Sequence, residues 1–187
     1  AQLSRGLGDV YKRQVDIVVN IEDEFLEIND LQKGSMNLIN SDESQRLLKN
    51  CKIAKKISGG SSANTVVCLA ELGNNVHFVG RVKNDNFGKF FSSDIRESNT
   101  IFDTPPTNKG PSTAHSIILV SPDAQRTMCT YLGASIRFEP KDIDFNLIKD
   151  SKYLYLEGYL WDSDLAKNAF LEAAKVAKSA NTRIVLS

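Results

Sequence analysis

The chain has 187 residues, 41% of them hydrophobic and 25% charged, and its 23 Lys+Arg balance 23 Asp+Glu. This is the composition of a globular domain and excludes a disordered, collagenous or coiled-coil chain. The absence of net charge leaves no field of one sign for a nucleic acid or a membrane surface, and the longest apolar runs, such as residues 116–120, are far too short to span a bilayer.

Residues 1–14, AQLSRGLGDVYKRQ, show no apolar period, and their last six resemble a translated transposon end. They are set aside as an adaptor scar. If that scar replaced native sequence, the first strand is expected to be damaged or lost. Residues 15–21 are β-branched and apolar and read as a strand, with a second short strand at 34–40. Ser41 is expected to cap a helix through Leu48, with Ser44 as the alternative cap. Residues 53–57 read as a short strand leading into Gly59-Gly60. Ser61 and Ser62 are expected to cap the next helix, whose buried stripe is Ala63, Val66, Val67, Ala70 and Leu72. A strand at 76–82 and an amphipathic helix at 86–98 follow. Pro105, Pro106, Gly110 and Pro111 stiffen a loop. Residues 113–121 and 126–132 form a hairpin around the 122–125 turn. The remaining expectations are a helix at 140–149, a buried strand at 152–157, a helix at 162–180 and a strand at 183–186.

The second half alternates strand and helix at βαβ lengths, which predicts an α/β fold with a mostly parallel sheet. The strands near 17–40 and the 113–131 hairpin break that rhythm and predict a separate small sheet. Cys51, Cys68 and Cys129 are odd in number and widely spaced. They read as reduced thiols of a cytoplasmic protein, and His77 and His115 form no ligand pair. No signal peptide is visible, since the start lacks an apolar h-region.

Four features could carry chemistry, and each has a plain structural alternative. Gly59-Gly60-Ser61-Ser62-Ala63-Asn64, between a strand and a helix, lets a ligand approach the backbone, while Asn64 can donate and accept toward a polyol. The alternative is a tight turn with serine caps. Asp16, in an apolar strand, and Glu157, at a strand's carboxyl end, could accept from substrate hydroxyls or simply face water. Arg126, with Thr127 and Asn108, could meet an anionic group or lie on the surface. The glycine pattern is neither a dinucleotide fingerprint nor a Walker loop.

These features in order resemble the ribokinase-like (PfkB) family of carbohydrate and nucleoside kinases. Val15-Asp16-Ile17 looks like the end of that family's first strand, which carries a substrate-hydroxyl aspartate. GGSSAN with Glu71-Leu72-Gly73 looks like its N-terminal signature. The run from Phe78 through Gly80, Val82 and Asp85 to Gly88 resembles its continuation, and Gln125-Arg126-Thr127 its hairpin motif. KGSMNLI and QRTMCTYLGA are closest to the adenosine kinase-like subgroup.

The resemblance implies a three-layer α/β sandwich with a mostly parallel sheet and a small β-sheet lid. Residues 15–187 would be the N-terminal part of the kinase domain. Asp16, Gly59, Gly60, Asn64, Arg126 and Glu157 would hold a sugar or nucleoside, with a ribose-bearing nucleoside as the first expectation. ATP and Mg²⁺ would be used by the intact enzyme but held by none of the motifs here. The Gly-Ala-Gly-Asp motif with the catalytic aspartate, and the acidic Asn-x-x-Glu motif linked to Mg²⁺, are expected beyond Ser187. The chain alone is therefore expected to be inactive. Its open lid edge allows homodimerisation. The alternatives are a non-catalytic sugar- or nucleoside-binding module, a fragment of a dinucleotide-dependent oxidoreductase and a purely structural α/β piece.

Overall fold

The computed structural model describes residues 7–10, 14–158, 161 and 163–187. In chain order the elements are β1 (Leu7–Val10), β2 (Gln14–Asn20), α1 (Asp23–Ile28), β3 (Met36–Leu38), α2 (Ser41–Asn50), β4 (Ile53–Gly59), α3 (Ser61–Glu71), β5 (Val76–Val79) and α4 (Asn86–Glu97). The hairpin β6 (His115–Val120) and β7 (Arg126–Tyr131) follows, then two 3₁₀ turns, α5 (Phe145–Asp150), β8 (Tyr153–Leu156), α6 (Asp164–Ser179) and β9 (Arg183–Leu186).

Two sheets result. The larger body is built on a four-stranded sheet, β5-β1-β8-β9, parallel at every pair. Its apolar residues alternate between two cores. Val76 and Phe78 point into one, with α3 and α4, while their neighbour Val79 points into the other, with Leu154, Leu156 and the alanine-rich stripe of α6. That period of two is what a strand covered by helices on both faces requires. β1 fills the central place, so the segment set aside on sequence contains a strand. Parallel ladders are made by main-chain groups, and an extended backbone at that position completes them.

The smaller sheet has five strands in the order β3-β7-β6-β2-β4. It contains the expected hairpin and the expected strands between 17 and 40. It also contains β4, which was expected only as a short lead into the diglycine. β4 runs antiparallel to β2, pairing Asp16 with Ile57 and Gln14 with Gly59. Lys55 and Lys56 sit on this edge strand, where charge discourages further strand pairing. Val15-Asp16-Ile17 thus belongs to β2, a strand of the small sheet that opens soon after β1 ends.

Some local expectations shift. Asn40, not Ser41 or Ser44, caps α2. Its side chain accepts from the amides of Asp42 and Glu43, and Glu43 reaches back to the Asn40 amide. The helix expected at 140–149 is a 3₁₀ turn, Pro140–Asp142, followed by α5. The strand expected at 76–82 stops at Val79. Ser163 caps α6, while Asp162 and Tyr159 lie outside the described residues.

Candidate functional site

The site lies where the two sheets meet. β2 enters the small sheet there, β4 leaves it, and α3 carries the chain back into the body. Asp16 is flanked in register by Ile57 on β4 and Ser116 on β6, and Ser116 faces Thr130 on β7. The Ser116 and Thr130 hydroxyls, both buried, bond each other at 2.9 Å, while Asp16 beside them is half-buried. The Asp16 carboxylate accepts from Gln14 Nε2 at 2.8 Å and leans diagonally over Gly59. A methyl group on Gly59 would lie 2.1 Å from Asp16 Oδ2, so the absence of a side chain there is what admits the carboxylate. Gln14 Oε1 is buried with no partner among the described residues.

Gly60 follows with φ of 103° and ψ of 143°, a conformation that disfavours any side chain. It is the N-cap of α3, and no side chain among the described residues caps that helix. The serines expected to do so are used otherwise. The Ser61 and Ser62 hydroxyls both donate to the Glu157 carboxylate, one to each oxygen. Glu157 stands immediately after β8 and is only 4% exposed. It therefore ties the carboxyl end of the parallel sheet to the start of α3. Asn64 sits one turn into α3, its amide bonded to the Gly60 carbonyl and its side chain exposed.

Asp16, Gly59, Gly60, Asn64 and Glu157 are thus gathered around one junction. Arg126 is not gathered with them. It opens β7, exposed and opposite Val120, four ladder positions from the Asp16–Ser116 pair. That separation is about 13 Å along the strands. Trp161 is 45% exposed and stacks near Phe170 rather than in the junction.

The sequence reading gave no role to two groups of the small sheet, of which His115 lies on the face opposite Asp16. His115, the neighbour of Val15 in the ladder, is buried between the rings of Phe87 and Tyr131. Its Nδ1 lies 3.0 Å from the Thr113 carbonyl and its Nε2 2.5 Å from Ser44 Oγ. The carbonyl can only accept, so Nδ1 donates and neutral Nε2 accepts from the serine. Burial pushes the His115 pKa down, which favours that neutral form. The second group is apolar. Met36, Leu38 and Met128 fall on the same face of the small sheet as Thr130 and Asp16, by register, and are 52%, 64% and 38% exposed. Three large apolar side chains open to water on one short sheet are an unspent contact surface. The alternation in GSMNLIN and RTMCTY was the available signal.

No three His, Cys, Asp or Glu side chains converge to hold a metal among the described residues. The spacing Asn-x-x-Glu does occur, at Asn40 and Glu43, but both side chains are committed to the cap of α2. Gly-Ala-Gly-Asp does not occur in the sequence. No described helix is long and apolar enough to cross a membrane.

Comparison with known proteins bears on the fold and the family. The chain is 38% identical to an adenosine kinase from Sinorhizobium meliloti, with a TM-score of 0.87 over 98% of this chain and 56% of that one. It is 30% identical over 135 residues to "Probable fructokinase-6, chloroplastic" of Arabidopsis thaliana, covering 71% of this chain and 35% of the relative. It is 29% identical over 152 residues to a 5-dehydro-2-deoxygluconokinase of Shouchella clausii, covering 79% of this chain and 46% of the relative. The chain thus spans about a third to a half of these curated relatives. Residues 33–187 match the family described as pfkB family carbohydrate kinase, and the chain belongs to that family.

Proposed function

We propose that the whole protein transfers a phosphoryl group from ATP to a hydroxyl of a ribose-bearing nucleoside, and that this chain supplies the substrate-holding half. The observation that carries the reading is the face shared by Asp16 with Met36, Leu38 and Met128. A carboxylate over a diglycine suits a sugar diol, which needs an acceptor and a close backbone. An apolar wall beside it suits a flat base, which a simple sugar lacks. Asn64 and the uncapped amides of α3 add donors at the same junction. Glu157 acts on the substrate indirectly, by holding Ser61 and Ser62 and so the path of the Gly60 turn.

The phosphate donor and its metal would be held by residues outside this chain. The 187-residue chain is accordingly expected to bind substrate without turnover. Calorimetric titration with adenosine and with fructose tests the substrate class. Adenosine should bind more tightly, and Leu38→Ser should weaken it several-fold while leaving fructose unchanged. Equal binding of both, or no effect of Leu38→Ser, would favour a simple sugar. Phosphotransfer by this chain alone would refute the division of labour. Binding without phosphotransfer by the longer protein would favour a non-catalytic binding module.

A further inference from the structure

A cavity of about 550 Å³ lies between α4 and the segment around Thr104–Pro106, and none of its lining residues belongs to the Asp16 junction. Lys89, Ser92 and Arg96, at successive turns of α4, form one wall, and Lys83, whose Nζ donates to Gly110 O at 2.8 Å, also lines it. A polar helical stripe ordinarily faces open water. Here it faces a second wall, fixed in place before any ligand arrives. Thr107 donates its amide to Val82 O at 2.9 Å, Asn84 donates to Thr107 O at 2.8 Å, and Pro105 and Pro106 stiffen the intervening chain.

The charge in this cavity is one-sided. Lys83, Lys89 and Arg96 line it against the single carboxylate of Glu97, in a chain whose net charge is zero. Lys89 has no ion-pair partner among the described residues. Arg96 is held rigidly: Nε and Nη2 both donate to Phe102 O, at 3.0 and 2.6 Å, and the guanidinium lies over the Phe102 ring. Its remaining nitrogen is engaged by no described residue. A pre-oriented guanidinium beside the ammonium group of Lys89 is a donor to phosphoryl oxygens, and the volume matches a small organic molecule rather than a lone ion. We propose that this cavity binds a phosphoryl oxyanion borne by a small organic body.

The test is amide NMR of the 187-residue chain titrated with AMP and, separately, with inorganic phosphate. Both should shift Lys89, Ser92, Ser93, Arg96 and Thr104. Tighter AMP binding would place the organic body in the cavity, and equal binding would mean that the phosphoryl group suffices. Lys89→Glu should weaken binding by about five-fold, the worth of roughly 1 kcal/mol of ion contact. Lys178→Glu on α6, with the same change of charge, should not. If Lys89→Glu disturbs the fold, Lys89→Gln replaces it with a smaller loss. Shifts confined to residues 14–16 and 59–64, no shift at millimolar ligand, or equal weakening by Lys178→Glu would each overturn the proposal.

Discussion

Alanine at position 59 adds one carbon at the tightest point of the junction. That carbon would lie 2.1, 2.3 and 2.7 Å from Oδ2, Cγ and Oδ1 of Asp16, against 3.4–4 Å for ordinary contact. All three carboxyl atoms are too close at once, so the group must swing by more than 1 Å or β2 and β4 must part. A swing of the carboxylate breaks the 2.8 Å bond to Gln14, and parting the strands breaks the β2–β4 ladder beside it. Overpacking of this kind costs about 1–3 kcal/mol, which in a domain of this size lowers Tm by about 3–10 °C. If Asp16 holds the sugar diol, adenosine affinity should fall at least about ten-fold, or roughly 1.4 kcal/mol. The double variant Gly59→Ala/Asp16→Ala removes the clashing atoms. It should regain most of the stability and none of the affinity, a coupling that thermal unfolding and calorimetry read together. Gly59→Ala with unchanged Tm and affinity, or a double variant no more stable than the single one, would refute this account of the junction.

Glu157→Ala removes the acceptor of two serine hydroxyls and leaves Ser62 buried without one, so urea unfolding should show a loss of about 2–4 kcal/mol. Glu157→Gln keeps an acceptor oxygen and should lose less; equal midpoints for the two variants would contradict the bridging role. Asp85 caps α4 through Gly88 N–H and also accepts from the amide and hydroxyl of buried Thr113. Asp85→Ala should therefore cost about 2–3 kcal/mol by chemical denaturation, more than a simple cap. At the hairpin tip the Ser121 hydroxyl, then Lys33, holds the Asp123 pKa down to about 2 from an ordinary 3.8. A depressed folded pKa stabilises above the unfolded value, so this contribution is complete above pH 3.8 and fades as pH falls toward 2. Carboxyl NMR titration of Ser121→Ala should move the Asp123 midpoint upward, and an unmoved midpoint would assign the shift elsewhere.

The elements most legible in the sequence were those whose signals are local. The 122–125 turn between two β-branched runs specified the hairpin, and the Phe91–Ile95 stripe specified α4. The diglycine identified the turn into α3, because only a residue without a side chain fits φ of 103°. What escaped depended on distant partners. Ser61 and Ser62 read as caps because serine at a helix start usually is one, but the carboxylate that claims them stands more than ninety residues away. β4 carries two central lysines and looks like a poor strand, and only β2 beside it explains its length. Asn40 with Glu43 was a readable capping box, hidden by the neighbouring serines. Arg126 matched a motif, yet its place at the far end of β7 is a matter of register that no single strand encodes.

The shared core has a mechanical consequence for the small sheet. Val15, Ile17 and Val19 of β2, Ile117 and Leu119 of β6, and Cys129 of β7 lie in the same apolar cluster as Val66, Phe78 and Phe91 of the body. Among the described residues the two share one apolar cluster. Swinging the sheet as a rigid plate would expose about six buried side chains, at about 1.5–3 kcal/mol each for the larger ones. The sum rivals the stability of an entire domain. The sheet is therefore anchored to the body at its root, and at the hairpin tip Lys33 ties Asp23 to Asp123. The polar row of Asp16, Ser116 and Thr130 stands at the root and keeps its shape whatever the tip does.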